Sequence, residues 1–295
     1  MKDHEPRHQL RNTPVSTASG VLRELWRSRD LVYQFVLRDL TIRYVQAVMG
    51  FAWALLMPVL IVGAGVIFRL VVSTLSGQPI EGASVASLAV KALPWAFFSG
   101  AISLATQSIL SHANLIGKIY FPREALPIAS VLAQSVDLLI GLIVMLLVIP
   151  FLGVHLGLMA LWGLPVLIAL LFFTFGCALI LSCSNLFFRD VKYLVQVVLN
   201  FGVFATPVFF EPQMLGPTGA KIMMRLPLSP FIEAIDLAVV HNQSLLRPVL
   251  ATTSKGIAEV WSPWMLVYMM ALSIVCFWGG LRIFRSASSK FAEMA

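Results

Sequence analysis

The sequence predicts an all-α polytopic membrane protein with six transmembrane helices, a preceding amphipathic interface helix, and short re-entrant outer-leaflet helices between spans 5 and 6. Of its 295 residues, 59% are hydrophobic and only 12% are charged, which is too few charges for a soluble domain of this length. The apolar runs are long enough to cross the hydrocarbon core as helices. They are also too continuous for the alternating strands of an outer-membrane barrel.

The N-terminal part divides into two segments. Residues 1–20 are polar and predict a disordered cytoplasmic tail, without the apolar stretch of a cleavable signal peptide. In residues 21–44, apolar side chains such as Leu22 and Val36 recur at helical spacing, with arginines on the opposite face. We expect an amphipathic helix in the headgroup plane. A helix packed on the protein's own cytoplasmic face is the alternative.

Six apolar runs between residues 45 and 284 predict one transmembrane domain. Span 2 is interrupted by Pro94 and Gly100 and contains several hydroxyl residues, so we expect it to pack inside the protein. Residues 73–92 are interpreted as a loop, and residues 285–295 as a cytoplasmic tail. The approximate bounds of the spans are 45–72, 93–111, 126–149, 158–184, 193–210 and 264–284.

Residues 211–262 are too many for a plain loop. They contain a moderately apolar stretch at 230–240, and Pro230 directly after Ser229 suits the start of a helix. We expect short helices here that enter the outer leaflet without crossing it.

The basic residues determine the predicted sidedness. Of the 21 Lys and Arg residues, 15 lie in the N-terminal segment to Tyr44, in polar breaks at 112–127 and 184–192, or in the basic C-terminal stretch that begins at Arg282. By the positive-inside rule, both termini and both breaks are cytoplasmic. Membrane sidedness therefore accounts for the net charge of +7, and no nucleic-acid partner is needed.

The titratable residues form no recognisable catalytic or metal-binding pattern. The five His residues are scattered without metal-ligand spacing, and the three Cys residues lie in apolar runs. There is no G-x-x-x-x-G-K-[ST] phosphate loop, so any ATP must be hydrolysed on another chain. Asp137 is the one acidic residue deep in a span, where a functional role and a hydrogen bond to a neighbouring helix are both open.

Four motifs occur in order along the chain. They are RDL-x-x-RY at 38–44 followed by G-x-x-W at 50–53, NLIGKIYFP at 114–122 followed by RE-x-LP, N-x-FFRD at 185–190, and TPV at 206–208. Over residues 30–285 the sequence resembles the permease subunits of ABC-2-type exporters, in particular the polysaccharide and polyol-phosphate exporters that handle O-antigen, teichoic acid or capsule.

The resemblance implies a permease subunit in the bacterial cytoplasmic (inner) membrane. Two copies would pair as a homodimer with two nucleotide-binding ATPase subunits, which would carry the ATP and Mg, while this chain carries no cofactor. The substrate would be a glycan on a lipid pyrophosphate, exported from the cytoplasmic side, as in lipopolysaccharide O-antigen export. The alternatives are an ABC-2 exporter of a small drug or lipid, a membrane glycan-modifying enzyme and a secondary transporter.

The resemblance also implies sites for the ATPase partner and for the substrate. ATPase coupling falls on Asn114, Leu115, Ile116, Lys118, Tyr120, Phe121, Pro122, Arg189 and Asp190. Lipid pyrophosphate would be bound by Arg38 and Arg43, with Lys118, since Arg offers paired donors to phosphate oxygens. A glycan conduit would use the ring faces of Phe51, Trp53, Phe201, Phe204, Phe209 and Phe210.

Each of these sites has a simpler interpretation. The 114–122 segment could be an interfacial loop with its aromatics at headgroup depth, and the conduit aromatics could be ordinary span residues. The arginines could act only as anchors to anionic lipid.

Overall fold

A computed structural model of the chain describes residues 26–44, 52–76, 82–112, 121–253 and 256–288. The predicted disordered tail at 1–20 and the start of the predicted interface helix lie outside these residues. The main elements, in chain order, are α1 (Arg29–Tyr44), α2 (Ala52–Ser76), α3 (Gly82–Ser111), α4 (Ala125–Val148), α5 (Gly163–Phe187), α6 (Val191–Ala205), α7 (Gly216–Met224), α8 (Ser229–Val239), β1 (Val249–Thr253), β2 (Gly256–Trp261) and α9 (Trp264–Ser288). Short 3-10 helices occur at Ile149–Leu152, Leu158–Trp162 and Pro212–Leu215.

The prediction of a polytopic helical membrane protein is confirmed. Within the described residues, four helical segments are long and apolar enough to cross a membrane: Gly82–Ser111, Ala125–Leu152, Leu158–Phe187 and Trp264–Ala287. They correspond to predicted spans 2, 3, 4 and 6. Helix α6, at the place of span 5, is apolar but shorter, and α2 covers most of predicted span 1. The count of six spans stays a prediction.

The predicted loop at 73–92 is wrong in its described parts. Helix α2 continues to Ser76, and α3 begins at Gly82, eleven residues before the predicted start of span 2. Residues 86–95 are all buried. The prediction failed because it took Ser87 and Lys91 as exposed loop residues, whereas both are buried between helices.

Helix α5 lies at the centre of the helical domain and contacts α3, α4, α8 and α9. Its closest neighbour is α9, because glycines stand where the two backbones meet. A Cβ atom on Gly176 would lie 2.3 Å from the backbone carbon of Cys276, and one on Gly280 would lie 2.6 Å from the carbonyl oxygen of Gly176. Small residues of this kind let membrane helices approach closely.

The segment between α6 and α9 contains the short helices α7 and α8 and a β-hairpin. Helix α8 begins at Ser229 with Pro230 in its first turn, as predicted, and packs on α3 and α5. The antiparallel pair β1–β2 was not predicted. Trp261 at its end is fully buried, and its Nε1 donates to the carbonyl oxygen of Leu245 at 2.9 Å. Placement of these helices in the outer leaflet stays a prediction.

Helix α1 packs against α4 through Val32, which joins a small apolar cluster with Ala125 and Ala129. Tyr33 and Ile42 are exposed. Arg38, which the helical pattern places on the polar face, instead bonds to His112 directly after α3. Arg43 bonds to Gln134 and Asp137 of α4. The structure thus favours, for this part of α1, a helix packed on the protein itself.

Candidate functional site

A cavity of about 510 Å³ lies between the end of α1 and helices α3, α4 and α6. Its wall combines hydrogen-bonding side chains with aromatic rings. The polar lining residues are Arg43, Ser99, Ser103, Gln134, Asp137, Gln196 and Asn200, and the aromatic ones are Tyr44, Trp95, Phe97 and Phe209.

One side of the cavity is a hydrogen-bond network centred on Asp137. Arg43 Nη1 lies 2.5 Å from Asp137 Oδ2 and 3.1 Å from Gln134 Oε1. Gln134 Nε2 donates to Asp137 Oδ2 at 2.9 Å, because the two residues stand three apart on one face of α4. The Tyr44 hydroxyl donates to Asp137 Oδ1. Asp137 therefore joins α4 to α1, as its structural interpretation requires.

The ion pair of this network is largely shielded from solvent, with the Arg43 and Asp137 side chains 23% and 11% exposed. Removing one partner would leave the other charge poorly compensated. Burial, and then the neighbouring Asp137, raise the pKa of Tyr44 to about 12. Its hydroxyl therefore remains protonated and available as a donor at neutral pH.

The opposite side of the cavity is formed by α6. Gln196 and Asn200 stand one turn apart, and Gln196 Nε2 donates to Asn200 Oδ1 at 3.0 Å. Each amide supplies both donors and an acceptor, while Trp95 and Phe209 supply ring faces. Amides beside aromatic rings suit a ligand that is rich in hydroxyl groups but carries apolar ring faces.

Only part of the predicted aromatic conduit lies at this cavity. Phe209 lines it and stacks on Phe204 with ring centroids 5.3 Å apart. Phe201 and Phe204 are 69% and 53% exposed on α6. The remaining predicted residues are Phe210, which is half-buried, Trp53, which lies in α2, and Phe51, which is outside the described residues.

The predicted ATPase-coupling segment lies mostly outside the described residues, including Asn114, Leu115, Ile116, Lys118 and Tyr120. Residues on both sides of this undescribed stretch contact α1. The Phe35 ring is 5.9 Å from the His112 ring and 5.7 Å from that of Phe121, which precedes Pro122. Arg38 hydrogen-bonds to His112. Helix α1 therefore contacts both ends of the predicted docking segment.

A second contact fixes the end of that segment. Arg285 Nε of α9 donates to Glu124 Oε1 at 3.0 Å, and the Glu124 side chain is 8% exposed. The last transmembrane helix is thereby tied to the residues directly after the predicted docking motif.

Arg38 and Arg43 belong to different networks. Arg38 Nη2 also donates to Asp39 Oδ1 at 3.0 Å, so Arg38 lies beside the flank of the docking segment, while Arg43 lies at the cavity. The Arg38 Nε atom is buried and has no hydrogen-bond partner among the described residues. Among the described residues, no contact joins the two arginines into one site.

The second polar break holds a residue whose role sequence reasoning missed. Asn185 is fully buried. Its Nδ2 donates to the Thr106 carbonyl at 2.9 Å, and its Oδ1 accepts from the Lys192 backbone amide at 3.2 Å. Asn185 therefore joins α3, α5 and α6. Its place in the N-x-FFRD motif was the available signal. Arg189 and Asp190 are exposed in the following turn.

The part of the chain that the structure describes contains no group of three or more His, Cys, Asp or Glu residues able to hold a metal ion. Its features define a multi-pass helical membrane protein with a polar, aromatic-walled cavity.

Comparison with known proteins extends this description. The sequence matches no protein-family model. It is 27% identical over 281 residues to the O-antigen export system permease protein RfbA of Myxococcus xanthus, covering 92% of this chain and 98% of that protein. Two Klebsiella pneumoniae proteins of the same name are 27% and 26% identical over 204 residues, with 69% of this chain and 77% of each relative covered. The resemblance to ABC-2-type O-antigen exporter permeases is thereby confirmed over most of the chain.

Proposed function

We propose that this chain is the transmembrane permease subunit of an ATP-driven exporter that moves a lipid-pyrophosphate-linked O-antigen polysaccharide across the bacterial inner membrane. The main support for the proposal is the 27% sequence identity to an O-antigen export permease along 92% of the chain. The multi-pass helical fold and the cavity walled by amides and rings support it.

The energy would come from partner subunits. Two permease chains would pair with two nucleotide-binding subunits, which would bind the ATP and Mg and dock on residues 114–122 with Arg189 and Asp190. The exposed turn that carries Arg189 and Asp190 supports this arrangement, because a docking surface must be accessible. Both termini would be cytoplasmic.

Helix α1 would couple docking to the cavity. Its middle contacts both flanks of the docking segment through Phe35 and Arg38, and its last two residues bond to Asp137. A displacement of the docking segment would therefore move the cavity wall, since one helical element contacts both.

The substrate would be captured in two parts. Arg38, with an unused buried Nε donor, would bind a pyrophosphate oxygen, assisted by Lys118. Arg43 would do so only by sharing or exchanging its bond to Asp137. Gln196 and Asn200 would bind sugar hydroxyls, and Trp95 and Phe209 would stack on sugar rings.

Export of a small drug or lipid is the second candidate. It is favoured by the volume of the cavity, about 510 Å³, which lies within the range of small-molecule sites. A polymer would require a longer path than this cavity.

The deciding experiment is complementation. The chain and its ATPase partner would be expressed in a strain that lacks its own O-antigen exporter, and surface glycan would be measured. We expect export to return only when both are present. Restored resistance to small toxic compounds without surface glycan would favour the second candidate and contradict the first.

The arginines can be tested in the same assay. Arg38→Lys keeps the charge but loses the planar guanidinium group with its paired N–H donors. We therefore expect export and substrate-stimulated ATPase activity to fall by roughly tenfold, the equivalent of about 1.4 kcal/mol. Arg29→Lys, at an exposed arginine of the same helix, is the matched control. Parental activity in Arg38→Lys and Arg43→Lys would mean that these residues are ordinary anchors.

A further inference from the structure

A buried ion cluster joins α3 to α8 through three residues that do not line the cavity described above. Lys91 Nζ lies 2.9 Å from Glu233 Oε2 and 3.1 Å from Asp236 Oδ2. The three side chains are only 2%, 4% and 1% exposed. Glu233 and Asp236 stand three apart, so both face α3 from the same side of α8.

The charges of this cluster do not balance. One ammonium group faces two carboxylates, and a buried excess charge is costly unless it is neutralised. The other titratable neighbours do not supply a buried positive charge. His241 Nε2 is 3.6 Å from Asp236 Oδ2, but its side chain is 47% exposed. Glu211 is a further acidic group close enough to act on Lys91 and Glu233.

The same interface contains polar atoms that lack hydrogen bonds. Asp236 Oδ1 is buried and has no hydrogen-bond partner within the described ranges. The hydroxyls of Ser87 and Ser229, one turn before Lys91 and Glu233, are also buried without partners among those residues. Buried polar atoms are normally satisfied. An added proton would neutralise the excess negative charge of the cluster.

We propose that this cluster is a proton-binding site, in which one hydrogen ion is held on the Glu233 carboxyl group and keeps α8 docked against α3. Hydronium from the aqueous side, reached past the half-exposed His241, would transfer its proton to a Glu233 oxygen and leave as water. The cluster would then carry one ammonium, one carboxylate and one neutral carboxyl group, with no net charge.

The electrostatics of Glu233 agree with this assignment. Burial raises the pKa of Glu233 from 4.5 to about 7, although Lys91 acts in the opposite direction. A carboxyl group whose pKa is raised by folding stabilises the folded state fully below its ordinary pKa, and this contribution is lost as the pH rises through the folded value. Docking of α8 should therefore weaken between pH 4.5 and about 7.

The first test is infrared difference spectroscopy on the purified full-length protein, with the pH stepped from about 8 to about 6, around the titration. The parent should gain the carbonyl band of a protonated, buried carboxyl group. Glu233→Gln should lose that band, whereas Glu259→Gln, which removes a half-buried carboxylate of β2, should keep it.

The second test is thermal unfolding between pH 4.5 and about 7, the interval over which the contribution of Glu233 is lost. The melting temperature of the parent should fall as the pH rises, and that of Glu233→Gln should change less because its amide cannot lose a proton. A parent without a titrating carboxyl band would overturn the proposal even if the variant fails to fold. So would a folded Glu233→Gln that keeps the band. Neither measurement requires ATPase or glycan, so the result is independent of the proposed transport function.

Discussion

At the scale of single residues, Asp137 shows how a charge is kept inside a membrane domain. Each carboxylate oxygen accepts a hydrogen bond from α1, one from Arg43 and the other from Tyr44. These bonds satisfy an acidic group that would otherwise be costly at this depth. Its role is therefore to hold the end of α1 on α4, and through that contact to shape the cavity.

This role leads to a prediction for Asp137→Ala. The change leaves Arg43 without its carboxylate, so we expect a loss of about 2–3 kcal/mol in unfolding free energy, as for hydrogen bonds to charged groups. Denaturant unfolding in detergent would measure it. The double variant Arg43→Gln/Asp137→Asn should recover part of the loss, because it contains no unpaired Arg43 charge. If Asp137→Ala is as stable as the parent, the network does not hold α1.

Sequence reasoning found Asp137 but not its partners. A lone acidic residue in an apolar run is visible in the sequence, whereas the bond to Arg43 joins residues 94 positions apart. Lys91 was misplaced for a related reason. Its charge suggests an exposed loop, and only the contact with Glu233 and Asp236 explains its burial. The identity of the charged residues is visible in the sequence, but their pairing across the fold, and hence the burial of Lys91, is not.

At the scale of elements, the contact between α5 and α9 depends on glycine. We expect Gly280→Ala to destabilise the protein by about 1–3 kcal/mol, as for other overpacked sites, since its Cβ would lie 2.6 Å from the Gly176 carbonyl oxygen. Gly279→Ala is the matched control, because its Cβ would meet nothing within 4 Å. Thermal unfolding of both variants would be compared. Equal losses would show that close backbone approach is not what the site requires.

Helix α1 gives a second prediction at this scale. Phe35→Ala removes the ring that contacts His112, just before the proposed docking segment, and Phe121 near its end. We expect reduced export and reduced substrate-stimulated ATPase activity with a normal amount of protein in the membrane. Tyr33→Ala, at an exposed position of the same helix, should behave like the parent. Similar activities of the two variants would argue against α1 as the coupling element.

The elements themselves were predicted unevenly. Spans 3, 4 and 6 were placed to within a few residues, because long apolar runs with polar ends define such helices. The start of α3 was missed since buried small and polar residues resemble a loop in sequence. The β1–β2 pair was missed because its strands are short and their burial depends on neighbours such as α7.

At the scale of the whole molecule, the burial of Lys91 changes the distribution of basic charge between the two sides of the membrane. Lys91 is one of the basic residues that the sequence assigns to the outer side of the membrane, but it is buried in an ion cluster. It therefore does not act as a free surface charge, and the excess of basic residues on the opposite side becomes larger. The positive-inside rule still predicts that both polar breaks are cytoplasmic.

This sidedness predicts which exposed residues an impermeant thiol reagent can reach. In a background with Cys177, Cys183 and Cys276 replaced, Thr252→Cys in the hairpin and Arg189→Cys before α6 each offer an exposed site. In intact spheroplasts, we expect the reagent to label Thr252→Cys readily and Arg189→Cys only after the membrane is permeabilised. Both sites are exposed, so a difference in labelling reports membrane side rather than burial. Labelling of Arg189→Cys in sealed spheroplasts, or protection of Thr252→Cys, would reverse the predicted orientation and remove the proposed ATPase-docking surface from the cytoplasm.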